Sequence, residues 1–372
     1  MVAQVSPAVA AASVLDIEQL VATLSPDSRE RFARLFHVSS SVGEIDPPEH
    51  MRRWIERYFG SVAATRTQKV VKITNRITLE GALFNELRAR RPLEARIPDA
   101  LHAELARNAP DPFDEPLLNT PADRFGRIRG RRCITASNIA KYDGWHGVLV
   151  FDQHDPLAFD EESVIDYIDV ANRWWAAAHA CDPASLYPLF MWNCLWKAGA
   201  SIQHGHAQVS LTRDMHYAKI EHLRRSAQSY RQTFGRDYFD DLYATHRDLG
   251  LACEQNGVRV LANLVPLKEK ELLLLGDRFD ANLGRTIHSA LRCLTDTLGV
   301  TSFNLVAYLP PLGPTAAEEQ WRDFPIVVRM VDRGDPANRT ADFGAMELYA
   351  ASVVSSDPFK VARTIFECMG LE

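Results

Sequence analysis

His204, His206 and Gln208 alternate within the segment Gly199-Ala-Ser-Ile-Gln-His-Gly-His-Ala-Gln208. In an extended strand successive side chains point to opposite faces, so this spacing puts two imidazoles and a carboxamide on one face. That trio suits attack on phosphorus. A neutral imidazole is nucleophilic, and histidine is half-neutral at a pH of about 6.5. The ring needs an acceptor on its other nitrogen to fix the tautomer. It also needs donors aimed at the phosphoryl oxygens, where charge gathers in the transition state. Gln208 can donate without ever carrying a proton to the leaving group. The small residues Gly205 and Ala207 let another group lie against the backbone, and Gly199-Ala-Ser201 reads as a turn whose amides and hydroxyl cradle an anion. His-x-His is also a common metal-ligand spacing, so the bare pattern leaves a metal site open as the other reading.

The chain that must position this strand has 372 residues, 46% hydrophobic and 24% charged, enough for one large domain or two medium ones. A formal net charge of -6 argues against a broad nucleic-acid surface but leaves room for a small phosphorylated ligand, which needs only a few local cations. The six cysteines are scattered with no Cys-x-x-Cys pair, so neither a thiolate zinc site nor a disulfide framework is indicated. No apolar run approaches the roughly 20 residues of a membrane span. Met1 to Leu15 is rich in Ala and Val but lacks a basic leader and a continuous apolar core. The expectation is a reduced, cytoplasmic protein with neither a membrane nor a nucleic-acid partner.

Residues 1–65 read as a helical N-terminal extension. Ser25-Pro26-Asp27 starts one helix, with Ser as N-cap and Pro in the first turn, and Pro47-Pro48-Glu49 starts another. From Val70 the texture becomes strand-like, and the Pro- and Asp-rich stretch Asn108 to Pro116 is loop. A unit then occurs twice. The first copy runs strand (Arg132 to Asn138), turn, strand (Val148 to Asp152), helix (Glu161 to Ala180), strand (Leu189 to Asn193), strand (His204 to Leu211). The second runs strand (Arg259 to Val265), turn, strand (Glu271 to Leu275), helix (Ala281 to Leu298), strand (Phe303 to Leu309), strand (Pro325 to Val331). Two copies of an antiparallel meander with one long helix make an α+β fold, divided at 66–215 and 216–372.

Asn193 followed by Gly199-Ala-Ser201 and His204-Gly-His-Ala-Gln208 resembles the active-site segment of one branch of the histidine-triad (HIT-like) superfamily. That branch holds the galactose-1-phosphate uridylyltransferases and the diadenosine tetraphosphate phosphorylases. Leu87-Arg88-Ala-Arg-Arg91-Pro92 is similar to the family's phosphate-binding arginine segment, and Asn138 to its nucleoside-side asparagine. The resemblance implies two tandem HIT-like repeats and a nucleotidyltransferase or phosphorylase working by a ping-pong scheme. In it His206 attacks the α-phosphorus of a nucleoside diphosphate compound. A phosphorylated acceptor, or inorganic phosphate, then takes the nucleotidyl group. Gln208 and Ser201 hold phosphoryl oxygens, Arg88 and Arg91 the distal phosphate, and Asn193 and Gly199 the loop or a phosphate. No cofactor is required for the chemistry, and a homodimer is implied. A glutamine in place of a third histidine marks the transferases; a hydrolase of the superfamily and a non-catalytic nucleotide-binding protein are the alternatives.

The departures from the family are specific. Some members hold a structural zinc with a Cys-x-x-Cys pair, a later histidine and the first histidine of the motif; here those positions read Asp111, Asp114, His154 and His204. Two carboxylates and two imidazoles can still take Zn²⁺ or another divalent ion; alternatively the site is lost and the aspartates only start turns. Pro325, Val327 and Arg329 stand where some relatives carry a second metal-binding histidine cluster. The sugar-recognising glutamate falls near Met346 and Glu347, offset by one residue. Arg329, Arg333 and Arg339 cluster in the same half and suit a more anionic second substrate, or are simply solvated.

Overall fold

Asp160 and Asp280 accept backbone N–H groups at the starts of two helices, Glu161–Cys181 and Ala281–Arg292. These are the long helices of the two repeats. The computed structural model describes residues 12–85, 87–88, 111–316, 321–338, 341 and 343–371; Arg91 and Arg339 lie outside the described residues. The second helix runs on as a π-helical turn, Cys293–Thr297.

The strands of the first repeat are β4 (Cys133–Ser137), β5 (Trp145–Phe151), β6 (Ser185–Asn193) and β7 (His206–Arg213). Those of the second are β9 (Val258–Ala262), β10 (Leu272–Gly276), β11 (Phe303–Tyr308) and β12 (Ile326–Asp332), with β8 (Ala252–Gln255) hairpinned onto β9. All join one nine-stranded sheet in the order β4-β5-β7-β6-β11-β12-β10-β9-β8, every pair antiparallel. Read from its edges inward, β4-β5-β7-β6 mirrors β9-β10-β12-β11, and the halves meet where β6 pairs with β11. The tandem repeats are therefore related by a pseudo-two-fold axis at the centre of one continuous sheet.

The helix-bearing face of this sheet is dry. Leu149, Ala207, Val209, Trp192 and Phe303 pack with Trp174 and Trp175 of the first long helix in one core, all at most 1% exposed. Burying a large side chain of this kind stabilises by roughly 1.5–3 kcal/mol. The opposite face carries the polar residues of the motif.

The N-terminal stretch departs from the helical expectation. It holds the helices Ile17–Thr23, Pro26–Leu35 and Arg52–Phe59, but also β1 (Phe36–Glu44). Val38-Ser-Ser-Ser-Val42 is poor in good helix formers, and β2 (Thr67–Asn75) offers a partner for all nine residues. With β3 (Gly81–Phe84) and the C-terminal β13 (Ser352–Val354) these form a second sheet, β1-β2-β3-β13, in which β13 lies parallel to β3.

Arg329 of β12 ties the two sheets together. Its Nε donates to Glu271 Oε1 at 2.8 Å and its Nη1 to Glu80 Oε1 at 2.6 Å, just ahead of β3. The guanidinium is therefore a buried clamp rather than a free binding group for an anionic substrate, which corrects that reading of the arginine cluster. Arg329→Met should lower the unfolding free energy by about 3–5 kcal/mol, because it strands the fully buried Glu271 carboxylate without its counter-charge. Urea denaturation would measure this, and a loss below about 1 kcal/mol would mean that the ion pair does not hold the sheets.

Cys293 and Cys368 form a disulfide with a Cα–Cα separation of 5.9 Å. It joins the end of the second long helix to the C-terminal helix Pro358–Cys368 across 75 residues, which corrects the expectation of a fully reduced chain; the spacing of these cysteines does not reveal the pair. Among the described residues no helix is long and apolar enough to cross a membrane.

Candidate active site

His206 opens β7 opposite Val150 of β5 and is 6% exposed. The strand begins there, not at His204, because Gly205 is pinned. Its N–H donates to the His154 carbonyl and its carbonyl accepts from Phe151 N. A Cβ on Gly205 would come within 2.8 Å of the Phe151 ring and 2.9 Å of the Gln153 carbonyl. What lies against this small residue is the protein's own β5 end rather than a ligand, and only glycine fits between the two histidines.

The tautomer of His206 follows from its contacts. Nδ1 lies 2.8 Å from the His204 carbonyl oxygen, so Nδ1 carries the proton and Nε2 keeps its lone pair. Burial pushes the ring's pKa down, which keeps it neutral near pH 7. The Phe113 ring meets it edge-on at 5.2 Å. Phe113 also packs with Ile134, Ala136, Val148, Val150 and Ile202 into an apolar wall along β4 and β5.

Gln208 stands two residues on, so it shares the face of His206. Its Oε1 lies 2.9 Å from Tyr142 Oη and 2.9 Å from His146 Nε2. Asn138 is adjacent: its N–H donates to the His146 carbonyl, its Oδ1 accepts from Ala140 N, and its Nδ2 lies 3.3 Å from His146 Nε2.

Asn193 ends β6, next to β7. Its Oδ1 accepts from Asn304 Nδ2 at 2.6 Å, and Asn304 also donates to the Ala198 carbonyl at 2.8 Å. The Arg333 guanidinium donates to Asn304 Oδ1. Residues 196–198 form a 3-10 turn ending at Gly199, whose φ of +94° is left-handed and favours glycine. Trp196 Nε1 and Lys197 Nζ tie this turn to the carbonyls of Pro336 and Asn338. Ser201 is exposed on the loop that follows. The second repeat thus holds the loop that leads into His204 and His206.

His204 turns to a different task. Its Nε2 lies 2.8 Å from the Phe151 carbonyl, which places the proton on Nε2 and leaves the Nδ1 lone pair. That Nδ1 lies 3.3 Å from Asp114 Oδ1 and 3.7 Å from Asp111 Oδ1, while His154 Nδ1 lies 3.1 Å and 3.8 Å from the same two carboxylates. Ligand atoms of all four residues lie within 4.8 Å of one another. The aspartates do start a turn: Asp111 Oδ1 accepts from Phe113 N, and Asp114 Oδ2 from Asp111 N. Asp114 is held below the usual carboxylate range chiefly by that backbone N–H. An imidazole lone pair facing two carboxylates is repulsive unless a proton or a cation stands between them. The donor set fits a divalent ion.

Arg88 and Glu347 are the remaining described residues of the expected site. Arg88 is exposed and lines a cavity of about 380 Å³ with Trp54, Phe59 and Gln68, a cavity that none of the motif residues lines. Glu347 Oε2 accepts from Gly344 N and caps its own short helix, Ala345–Tyr349. Tyr142, His146, Phe113 and Asn304 were not singled out from the sequence. His146 had a signal: it alternates with Val148 and Val150, so it faces the same side of β5 as they do.

No protein-family model matches the chain, and no curated protein matches it in sequence. Solved structures do match in fold. An ADP-glucose phosphorylase from Arabidopsis thaliana, solved with bound ADP-glucose, shares 14% identity over 79% of this chain and 97% of that one, with a TM-score of 0.61. A GalT-like protein from Arabidopsis thaliana shares 15% over 69% and 91%, at 0.57. A uridylyltransferase shares 13% over 68% and 88%, at 0.55. At these identities what is shared is the α+β fold with its two antiparallel repeats.

Proposed function

We propose that this chain is a nucleotidyltransferase or nucleotide phosphorylase in which Nε2 of His206 carries the transferred group. The supporting observation is the bond from His206 Nδ1 to the His204 carbonyl, which leaves a buried, neutral imidazole with its Nε2 lone pair available. That lone pair attacks the α-phosphorus of a nucleoside diphosphate compound. The N–P bond forms, the bond from phosphorus to the bridging oxygen breaks, and the electron pair leaves with the departing phosphate. The ring becomes cationic, and the Nδ1–H bond to the His204 carbonyl strengthens as it does. In the second half an oxygen of inorganic phosphate or of a phosphorylated acceptor attacks the same phosphorus. The N–P bond then breaks and neutral His206 returns. The Gln208 and Asn193 amides and the backbone around Gly199 and Ser201 supply donors for the phosphoryl oxygens. The Phe113–Val150 wall offers an apolar surface for the nucleoside.

The test is intact-mass spectrometry of the protein incubated with ADP-glucose, UDP-glucose or a dinucleoside polyphosphate. A nucleotidyl adduct that inorganic phosphate or a sugar phosphate discharges supports the reading. Turnover that needs neither acceptor would make the chain a hydrolase and overturn it.

The same reading gives Asp111, Asp114, His154 and His204 a divalent cation, with a structural role. Bound there, it would neutralise the two carboxylates and fix His204, whose carbonyl sets the His206 tautomer. Metal analysis of the purified protein should find about one ion per chain. Chelation should lower the melting temperature in the wild type but not in Asp111→Asn/Asp114→Asn; equal melting curves with and without chelator would count against a metal.

A further inference from the structure

Gln208 can serve phosphoryl transfer only if its nitrogen, rather than its oxygen, faces the reacting group. Two neighbours meet the other end of the amide: Tyr142 Oη and His146 Nε2, each 2.9 Å from Oε1. A carboxamide oxygen has two lone pairs, so two donors saturate it and leave the N–H₂ pointing away. His146 is fully buried, its Nδ1 has no hydrogen-bond partner, and the Tyr142 ring packs on the imidazole with centroids 3.9 Å apart.

The unpartnered Nδ1 decides between two arrangements. In the first, Nε2 is protonated and donates to Gln208, and Nδ1 keeps a lone pair. In the second the amide is flipped, Gln208 donates to Nε2, Asn138 Nδ2 adds a long contact at 3.3 Å, and the proton sits on Nδ1. The hydroxyl of Tyr142 can donate or accept and does not discriminate. The second arrangement buries an N–H with no acceptor, which is rarer and costlier in proteins than an under-used acceptor. The first buries a lone pair on Nδ1 and leaves Asn138 Nδ2, 3.3 Å from the protonated Nε2, as a non-bonded neighbour.

We propose that His146, as its Nε2–H tautomer, and Tyr142 are positioning residues that aim the Gln208 amide N–H₂ at the phosphoryl group carried by His206. The proposal rests on the nucleotidyl-transfer reading of His206, but its geometry can be tested without it.

The first measurement is nitrogen NMR of the full-length protein labelled with ¹⁵N-histidine, with the His146 resonances identified by their loss in His146→Gln. Protonation at Nε2 with a bare Nδ1 is the expected result; a proton on Nδ1 overturns the proposal. The second is the rate of adduct formation with ADP-glucose and UDP-glucose. Gln208→Ala should slow it by about 10²–10³. His146→Ala should slow it by about ten-fold or more, and Tyr142→Phe by a few-fold, in the maximal rate rather than in KM. His146→Gln, whose amide can reach the same oxygen, should recover most of the loss. In a Gln208→Ala background His146→Ala should change the rate by less than about two-fold, since both act through one amide. Losses that multiply independently, or a His146→Ala protein with an unchanged rate and an unchanged melting curve, overturn the proposal. A wild type that forms no adduct removes the transfer reading instead, while the tautomer measurement still reports how Gln208 is held.

Discussion

Replacing His206 by alanine is expected to eliminate the covalent nucleotidyl adduct and to lower turnover on the order of 10⁴–10⁶-fold, the range for removing an attacking side chain. The size follows from the role. The nitrogens of His204 and His146 are either engaged or, like the bare Nδ1 of His146, shut away from solvent. His204 has its Nδ1 turned toward Asp111 and Asp114, and His146 has its Nε2 on Gln208. Neither can replace His206 as the carrier. The substitution should spare the fold. The His206 ring hydrogen-bonds to a backbone carbonyl, and losing that bond leaves a single acceptor unfilled at a cost of about 1–3 kcal/mol. Circular dichroism and thermal melts therefore separate a chemical loss from a structural one. An adduct that persists in His206→Ala at wild-type stoichiometry would place the nucleophile elsewhere.

The parts of this structure legible in the sequence are those that obey a short period. The two repeats could be read because the same order of strands and one helix recurs with similar spacing, and because the strands alternate at period 2. His206 and Gln208 could be placed on one face by the same rule. What could not be read depends on partners distant in sequence. β1 is a strand because β2 pairs with it, and serine-rich segments have weak preferences of their own. Arg329 looked like a ligand for anions because nothing near it in sequence betrays Glu80 and Glu271, 249 and 58 residues away. The link between Cys293 and Cys368 is hidden in the same way. His146 shows the limit within the site itself: its alternation with Val148 was visible, but its hold on the Gln208 oxygen, 62 residues away, needed the β5–β7 pairing.

Lowering the pH from about 6.5 to about 4 is expected to destabilise the fold by up to about 3 kcal/mol for each of two buried histidines remote from the motif. Burial pushes His246 and His216 down from the ordinary 6.5 to about 4. Each ring already accepts a backbone N–H on the nitrogen that a second proton would need. Leu264 N donates to His246 Nε2 at 3.2 Å, and Tyr217 N to His216 Nδ1 at 2.9 Å. Protonation would set two donors against each other in a dry site. The sign follows from proton binding: between the two pKa values the unfolded chain takes up the proton and the folded chain does not. Stability is therefore full above about 6.5 and falls with a slope of about 1.4 kcal/mol per pH unit for each ring as the pH drops. Burial also pushes His146, His206 and His288 down, which adds to the loss with the same sign. Asp182, held near about 2 chiefly by Arg213 and then Ser185, titrates below this window and does not confuse it. Urea midpoints measured in half-unit steps from pH 7 to pH 4.5 would show the slope, and His246→Gln should flatten it by one ring's share. A midpoint independent of pH across that range, or an unaltered slope in His246→Gln, would mean that the buried imidazoles take up protons without opening the fold.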